Sequence, residues 1–234
     1  MRTTIVIPTY DERENLRPMA EAVLDRVPDA TLLVVDDGSP DGTGDVADEI
    51  ARRDARVRVI HRERKLGLGS AYREGFARAL DDGAEVIVQM DCDFSHDPAA
   101  VPALIAALET SDLVLGSRYC RGGGTRNWGF GRRVLSRGGS LYARLWLGVP
   151  VNDLTGGFKA WRADLLRTIG LHRIRSEGYG FQVEMSYRAY QAGARIREVP
   201  ILFEDRRVGQ SKMSGSIFRE AVIMVPRLAL GGRP

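Results

Sequence analysis

The chain has 234 residues, of which 44% are hydrophobic, enough to bury the core of one large α/β domain or two small ones. Its 34 basic residues nearly balance 31 acidic ones, which argues against a protein that binds nucleic acid through its overall positive charge. Any basic site must therefore be local. Two cysteines, Cys92 and Cys120, are too few for a disulfide framework and fit a reducing compartment.

The N-terminal residues lead directly into a β-branched run, without the charged, apolar and small-residue regions of a signal peptide. The apolar runs are far shorter than the roughly 20 residues that are needed to cross a bilayer. We therefore expect a cytoplasmic protein without a membrane span.

Short β-branched runs alternate with helical periodicity in the first half of the chain, a pattern typical of βαβ units and of a doubly wound, mostly parallel sheet. The predicted strands are Thr4–Pro8, Leu32–Asp36, Val57–Ile60, Glu85–Met90 and Leu113–Gly116. Apolar residues recur at three and four positions after Asn15, which we predict to cap the first helix. Further helices are predicted over Gly44–Arg53, Ser70–Asp81 and Pro98–Leu108.

A segment rich in glycine and arginine, residues 121–126, begins the second half and is followed by Trp128 and Phe130. It predicts a long loop that is either mobile over a ligand or simply solvated. The elements predicted after it are helices over Arg132–Leu147 and Gln182–Ala192 and a strand over Ile196–Phe203.

The last periodic segment, residues 217–228, predicts an amphipathic helix. Such a helix either lies on a membrane surface or packs on its own domain. The periodicity alone favours neither interpretation.

Acidic residues follow three of the predicted strands, with Glu12 after the first, Asp37 after the second and Asp91 and Asp93 after the fourth. In a doubly wound sheet these strand ends meet where the ligand binds. The carboxylates would repel one another unless a cation or hydrogen-bond donors lay between them. A divalent cation together with ribose and base donors would satisfy that demand.

Asp91 and Asp93 are the strongest local signal, because residues two apart in an extended chain project from the same face. Paired carboxylates suit Mg²⁺ or Mn²⁺, which also bind a diphosphate. The same pattern alone would also fit a capped turn with solvated aspartates, and the neighbouring acidic strand ends favour the metal site.

Cations concentrate in Asp205–Lys212, which either folds over a phosphate-rich ligand or forms a solvated basic loop. Lysine occurs only three times, at Lys65, Lys159 and Lys212, which indicates a local need for a compact charge at these positions. His96, like the other two histidines, is predicted to be structural or exposed rather than catalytic.

Taken in order, five motifs resemble those of the dolichol (polyprenol) phosphate mannose synthases, inverting GT-A glycosyltransferases of family 2. The motifs are Val6–Leu16, Val34–Thr43, Lys65–Gly69, Asp91–His96 and Asp153–Phe158. The resemblance runs from about Thr4 to Lys212. It implies a single GT-A domain with a doubly wound, mostly parallel sheet, in which residues 1–118 bind the nucleotide sugar, 119–213 bind the acceptor and 214–234 form an amphipathic helix.

The resemblance also implies GDP-mannose as donor, a polyprenyl phosphate as acceptor and Mg²⁺ or Mn²⁺ as cofactor. By matching motif, the guanosine contacts would be Pro8, Tyr10, Glu12, Val35 and Asp37. The metal and diphosphate would be held by Asp91 and Asp93, with Cys92 between them. The donor phosphates would be contacted by Arg118, Arg206 and Lys212, and the acceptor phosphate by Arg118, Arg132 and Ser136.

Cys92 departs from the family pattern, which more often has alanine there. A thiol that reached the metal would favour a softer ion than Mg²⁺. The chain resembles the soluble type of the family, which implies peripheral contact at the cytoplasmic face of the membrane. Access to the lipid would then depend on the Arg-rich loop, the terminal helix or a separate membrane protein.

Two other functions stay open at this point. The first is the same reaction with another nucleotide sugar such as UDP-glucose, and the second is a noncatalytic nucleotide-sugar-binding subunit. A nucleic-acid-binding module is disfavoured, because cations and carboxylates are interspersed along the chain.

Overall fold

A computed structural model describes residues 1–204 and 224–231 of the chain. The strands are β1 (Thr3–Thr9), β2 (Thr31–Asp36), β3 (Val57–His61), β4 (Val86–Gln89), β5 (Leu113–Ser117), β6 (Gly124–Thr125), β7 (Lys159–Arg162), β8 (Ile196–Pro200) and β9 (Leu202–Phe203). Seven of them form one sheet in the order β3-β2-β1-β4-β7-β5-β8, and β6 pairs with β9 in a small second sheet. Only β7 runs antiparallel to its neighbours in the large sheet.

Helices cover both faces of the large sheet. They are α1 (Arg13–Arg26), α2 (Thr43–Arg53), α3 (Leu68–Asp81), α4 (Val101–Ala107), α5 (Phe130–Leu147), α6 (Ala163–Ile169) and α7 (Gly178–Gln191), with 3₁₀ turns at Pro98–Ala100 and Leu171–Arg173. Each face has its own core: Val6 of β1 packs with α3 and α7, whereas Ile5 and Ile7 pack with α1 and α4. This alternation follows from the two-residue period of a strand, and it confirms the predicted doubly wound sheet.

The five predicted strands of the first half are confirmed, with ends that differ by a residue or two. Strand β7 was not predicted, because its four residues begin with Lys159 and end with Arg162 and so lack an apolar run. The continuous strand predicted over Ile196–Phe203 is wrong. The chain bends at Ile201, so that β8 extends the large sheet while β9 pairs with β6.

The predicted cap of the first helix is also wrong. Helix α1 begins at Arg13, because the Glu12 carbonyl accepts hydrogen bonds from the backbone N–H groups of Asn15 and Leu16. The Asn15 side chain therefore lies inside the first turn and donates to Glu12 Oε2 at 2.7 Å.

The described part of the C-terminal segment packs on its own domain. Residues 224–229 are helical, and Met224, Val225 and Leu228 are buried in the core shared with α3 and α7. The membrane-surface interpretation is therefore wrong for these residues, whereas residues 217–223 lie outside the described part. None of the helices in the described ranges combines the length and hydropathy of a membrane span.

Candidate active site

The carboxyl ends of the central strands open onto a cleft of about 470 Å³. Strand order reverses at β1, so the chain leaves β1 and β4 in opposite directions and a crevice forms between them. Nine of the predicted site residues line the cleft, namely Pro8, Tyr10, Glu12, Asp37, Asp91, Cys92, Asp93, Arg118 and Arg132. A hollow of about 530 Å³ lies along α2, but it is an open surface lined by α2 residues, away from these strand ends.

Asp91 and Asp93 are held in place by hydrogen bonds at the end of β4. The buried Tyr72 hydroxyl donates to Asp91 Oδ1 at 3.0 Å, and burial raises the pKa of Tyr72, so its proton is retained. Asp93 Oδ1 accepts from the backbone N–H of Ser95 at 3.0 Å and from the Ser95 hydroxyl at 2.5 Å. The Asp91 side chain is 34% exposed toward the cleft. Both carboxylates are thus oriented before any ligand binds.

The oxygen donors of this pair fit a hard divalent cation. Within residues 1–204 and 224–231, no three His, Cys, Asp or Glu side chains are arranged to hold a metal by themselves. A cation at Asp91 and Asp93 would therefore take its remaining ligands from water and from a bound diphosphate, as Mg²⁺ commonly does.

The Cys92 thiol is a poor metal ligand in this structure. Its side chain is 2% exposed and packs in the core beside Met90 and Val101. Burial, together with the neighbouring carboxylates, raises the pKa of Cys92, so the thiol stays protonated. The softer ion that a thiolate would favour therefore has no ligand here.

His96 supports the loop that carries Asp91 and Asp93. The backbone N–H of Asp91 donates to His96 Nδ1 at 3.0 Å, and the imidazole stacks on Phe158 at 4.9 Å between centroids. Burial lowers the pKa of His96 despite the nearby Asp91 carboxylate. A neutral ring that accepts at Nδ1 agrees with the predicted structural role of His96.

Asp37 anchors the loop from Arg62 to Gly67, which forms one wall of the cleft. Its Oδ1 accepts from Arg62 at 2.7 Å and from the N–H of Leu66 at 2.9 Å, and its Oδ2 accepts from the N–H of Gly67 at 2.9 Å. The carboxylate is thus engaged with the loop from Arg62 to Gly67, and a contact with ribose would use its remaining acceptor capacity.

Tyr10 and Val35, both predicted to contact guanosine, occupy different environments. Tyr10 lines the cleft with the Lys65 Nζ 3.6 Å above its ring centroid. Val35 is fully buried, packs in the core against α3 and is not among the residues that line the cleft. A side-chain contact between Val35 and a nucleotide would therefore require rearrangement of the core.

Arg118 forms a buried ion pair with Asp153. Its Nε and Nη2 donate to the Asp153 carboxylate at 2.7 and 2.6 Å, and its backbone N–H donates at 2.9 Å. Burial alone would lower the pKa of Arg118, but the Asp153 carboxylate raises it, so the guanidinium is charged. Asp153 thereby fixes the direction of a cation that lines the cleft.

The predicted acceptor contacts lie where α5 begins. Arg132 lines the cleft, and its guanidinium carbon lies 4.2 Å from the Trp128 ring centroid, while that of Arg118 lies 5.5 Å from the same ring. Ser136, one turn further along α5, accepts a hydrogen bond from the Tyr119 hydroxyl at 2.7 Å. Trp128 is 8% exposed, so the loop predicted over residues 121–130 is anchored here rather than fully solvated.

Comparison with known proteins identifies the chain. Residues 4–170 match the family described as Glycosyl transferase family 2. The chain belongs to this family. Over 233 residues the glycosyltransferase is 50% identical to an undecaprenyl-phosphate mannosyltransferase of Micrococcus luteus, with 100% of this chain and 96% of the relative covered.

A second relative agrees with this assignment, and a solved structure has the same fold. The glycosyltransferase is 47% identical over 234 residues to a polyprenol monophosphomannose synthase of Mycolicibacterium smegmatis, with 99% of this chain and 88% of the relative covered. A glucosyl-3-phosphoglycerate synthase of Mycobacterium tuberculosis, solved with Mn²⁺, UDP and glucosyl-3-phosphoglycerate, superposes with a TM-score of 0.69 at 22% identity. That superposition covers 100% of this chain and 81% of the other, and it confirms the fold.

A buried polar network underlies the cleft floor of the glycosyltransferase. Lys159 Nζ donates to the backbone carbonyl of Gln182 at 2.8 Å and to its side-chain Oε1 at 3.0 Å. The Gln89 amide donates to the same Oε1 at 2.7 Å, and Gln182 lines the cleft. Burial lowers the pKa of Lys159 to about 7, against the opposing effect of Asp153. The Lys159 side chain therefore serves a hydrogen-bond network inside the protein rather than a ligand.

The sequence did not predict several residues of the site. Tyr72 and Gln182 lie on helices, and Asp153 lies in a loop, within a motif that by itself predicts no role for it. An isolated tyrosine or glutamine in a helical pattern carries no signal of its own. Arg206 and Lys212, predicted to contact the donor phosphates, lie outside the described residues.

Proposed function

We propose that this glycosyltransferase moves mannose from GDP-mannose to a polyprenyl phosphate, with inversion, and so forms polyprenyl phosphate β-mannose and GDP. The observation that carries the proposal is the pair of carboxylates, Asp91 and Asp93, that offers oxygen ligands at the crevice. The chain around this pair is 50% identical to an undecaprenyl-phosphate mannosyltransferase. The second relative, 47% identical, is named a polyprenol monophosphomannose synthase and supports the same sugar and acceptor class.

The cofactor in this proposal is Mg²⁺ or Mn²⁺, held by Asp91 and Asp93. When bound, such an ion neutralises charge on the diphosphate of the donor. The side chains of the chain itself fix the two carboxylates through Tyr72 and Ser95, so that orientation is provided before the donor arrives.

The guanosine would lie toward β1 and β2, bounded by Pro8, Tyr10, Glu12 and Asp37. Tyr10 offers an aromatic face beside the Lys65 ammonium. Val35 would contribute only through the packing that supports this wall, because its side chain is buried.

The phosphates would be met by the cations of the cleft. Arg118, oriented by Asp153, would contact donor or acceptor phosphate, and Arg132 with Ser136 would receive the acceptor phosphate at the start of α5. Arg206 and Lys212, outside the described residues, stay predicted contacts of the donor phosphates.

In the proposed reaction, an oxygen of the lipid phosphate attacks the anomeric carbon while the bond from that carbon to the β-phosphate oxygen of GDP breaks. A phosphate monoester has a second pKa of about 6 and is already largely anionic at neutral pH, so the chain need not supply a base. The position of His96 supports a reaction without a protein base, because its Nδ1 already accepts a hydrogen bond from the backbone N–H of Asp91. The residues of the site would align the two substrates and hold the charge of the leaving GDP.

The test is transfer of labelled mannose from GDP-mannose to a short-chain polyprenyl phosphate in detergent with Mg²⁺ or Mn²⁺, measured after extraction of the lipid. Parallel reactions with UDP-glucose decide the donor. Asp91→Asn and Asp93→Asn should each lower turnover by about a hundredfold or more, because charge on the diphosphate is no longer neutralised. Asparagine keeps the Oδ1 that accepts from Tyr72 or Ser95, so these variants remove mainly the charge.

Asp97→Asn is the matched control. Asp97 lies in the same loop, is exposed, and caps the following 3₁₀ turn through Oδ1, an atom that asparagine retains. Its turnover should equal that of the wild type. Full metal-supported activity in Asp91→Asn would contradict the proposal, and GDP-mannose binding without any turnover would favour the noncatalytic subunit instead.

A further inference from the structure

Helix α5 presents its apolar side to solvent. Only Ser140, Ala143 and Leu147 of this helix are buried. In the described part of the chain, twelve large hydrophobic residues are exposed, and half of them lie on α5: Phe130, Val134, Leu135, Leu141, Leu145 and Trp146. At about 100° per residue, Phe130, Val134, Leu141 and Leu145 form one stripe opposite the buried residues. A helix that only packed on its own domain would have the reverse arrangement.

The charge on this surface is entirely positive. Helix α5 contains four arginines and no acidic residue, and between Tyr119 and Asn152 the chain has six arginines and no aspartate or glutamate. Arg133, Arg137 and Arg144 lie along one flank of the apolar stripe at the same angular spacing. The exposed surface of α5 therefore combines apolar side chains with cations, as interfacial helices do.

The surface adjoins the mouth of the cleft. Arg132, in the first turn of α5, lines the cleft together with Trp128, which precedes the helix. One turn further on, the Tyr119 hydroxyl donates to Ser136. At the same angular spacing, Arg132 and Ser136 lie on the other side of α5 from the apolar stripe, so a lipid headgroup layer against α5 would lie about one helix width, roughly 10 Å, from the residues proposed to receive the acceptor phosphate.

We infer that α5 docks the protein on an anionic lipid bilayer, with its apolar stripe at the level of the upper acyl chains and Arg133, Arg137 and Arg144 among the headgroups. Charge complementarity selects this occupant. A second copy of the chain would bring two positive surfaces together, and residues 205–223 carry four cations and two carboxylates, a net charge of +2. Anionic lipid supplies both the apolar phase and the opposite charge.

The test is flotation of the full chain with vesicles that contain no polyprenyl phosphate, so it does not depend on the proposed function. Vesicles of phosphatidylcholine and phosphatidylglycerol in equal parts should carry the wild type, and vesicles of phosphatidylcholine alone should carry much less. The double variant Leu141→Gln with Leu145→Gln should bind to the phosphatidylglycerol vesicles about tenfold more weakly than the wild type. Leu230→Gln removes a leucine outside α5 that is 82% exposed, and it should leave partitioning unchanged.

A second variant separates charge from apolar contact. Arg133→Gln with Arg137→Gln should reduce the preference for phosphatidylglycerol and the sensitivity to salt. Neither residue belongs to the site, so mannose transfer to a short acceptor in detergent should stay at the wild-type rate if the proposed function holds.

Intrinsic fluorescence provides an independent readout. The chain has three tryptophans, of which Trp161 and Trp128 are buried and Trp146, on α5, is 49% exposed. Phosphatidylglycerol vesicles should shift the emission to shorter wavelength, and Trp146→Phe should abolish the shift. Equal flotation of the wild type and the Leu141/Leu145 variant, with both folded by circular dichroism, would overturn the proposal. So would a wild type that sediments as a dimer which the variant loses, because α5 would then be an interface between copies.

Discussion

Arg118 and Asp153 illustrate how a charged site residue is supported from a distant part of the chain. Asp153 is fully buried and accepts three hydrogen bonds from Arg118. If one partner of a buried pair is removed, an uncompensated charge stays in a poorly solvated position. The pair is therefore expected to matter for stability as well as for the direction of the guanidinium.

Asp153→Ala should lower the free energy of unfolding by about 3–5 kcal/mol, because the Arg118 guanidinium loses its buried counter-charge. Urea unfolding followed by circular dichroism measures the loss. The control is Asp164→Ala, which breaks the ion pair between Asp164 and Arg167. The Asp164 side chain is 95% exposed, so this variant should not measurably change the free energy of unfolding. Similar losses in the two variants would mean that the buried pair is no stronger than a surface one.

Lys159 gives a pH dependence with a defined sign. Its pKa is about 7 in the folded protein and near ~10.4 in an unfolded chain, so between these values the unfolded state binds a proton that the folded state does not. This contribution to stability is complete above the unfolded pKa and is lost as the pH falls toward 7.

The free energy of unfolding of the wild type, relative to Lys159→Met, should therefore rise by about 1 kcal/mol for each pH unit between pH 7 and pH 10. Taking the difference between the two proteins cancels the titration of every other group. A flat difference for Lys159→Met would mean that Lys159 is charged in the core at pH 10.

The acidic part of the site could be predicted from the sequence because its residues follow strands directly. Glu12, Asp37, Asp91 and Asp93 all line the cleft. Val35 precedes Asp37 by two residues, but it lies within β2 and its side chain packs in the core, whereas Asp37 lies beyond the end of the strand. The residues that hold these carboxylates in place could not be predicted from the sequence, because a tyrosine such as Tyr72 contacts Asp91 only as a result of the packing of α3.

At the scale of elements, the contact between α3 and the sheet depends on the absence of a side chain at Gly75. A Cβ there would lie 2.5 Å from Val6 Cγ1 and 3.0 Å from Val35 Cγ2. Helix propensity alone would favour alanine at this position, so the close approach of helix and sheet must outweigh it. The short strand β7 is a comparable case, because its place between β4 and β5 is decided by pairing rather than by its own composition.

Gly75→Ala should destabilise the protein by about 1–3 kcal/mol, because the added methyl group overpacks the core between α3 and β1. Gly138→Ala is the matched control within a helix. Nothing lies within 4 Å of the Cβ added at Gly138, so this variant should gain about 0.5–1 kcal/mol from helix propensity. Thermal unfolding of both variants gives the two signs, and a stabilising Gly75→Ala would mean that α3 can move away from the sheet.

At the scale of the whole molecule, the predicted single domain has a physical basis in the core on one face of the sheet. That core includes Val6 and Leu33 from residues 1–118 together with Leu147, Phe181 and Leu228 from later parts of the chain. Strand β7 joins β4 to β5 by pairing with both. Neither half could unfold without exposing apolar surface of the other.

Calorimetry of the full chain should therefore give one unfolding transition, with a ratio of calorimetric to van't Hoff enthalpy of about 1. Leu147→Ala, at the boundary between α5 and the core, should lower the transition temperature without splitting the peak. Two separate transitions would contradict the single-domain prediction and divide the chain near residue 118.

The positions of the two cysteines make the molecule convenient for site-selective labelling. Cys92 is only 2% exposed at the cleft, whereas Cys120 is half-buried in the segment that leads to α5, and burial raises the pKa of Cys120. A maleimide dye should therefore attach at a single position, slowly near neutral pH and faster in mild alkali. An environment-sensitive fluorophore at that position would follow events beside α5 in the natural sequence, without any engineered cysteine.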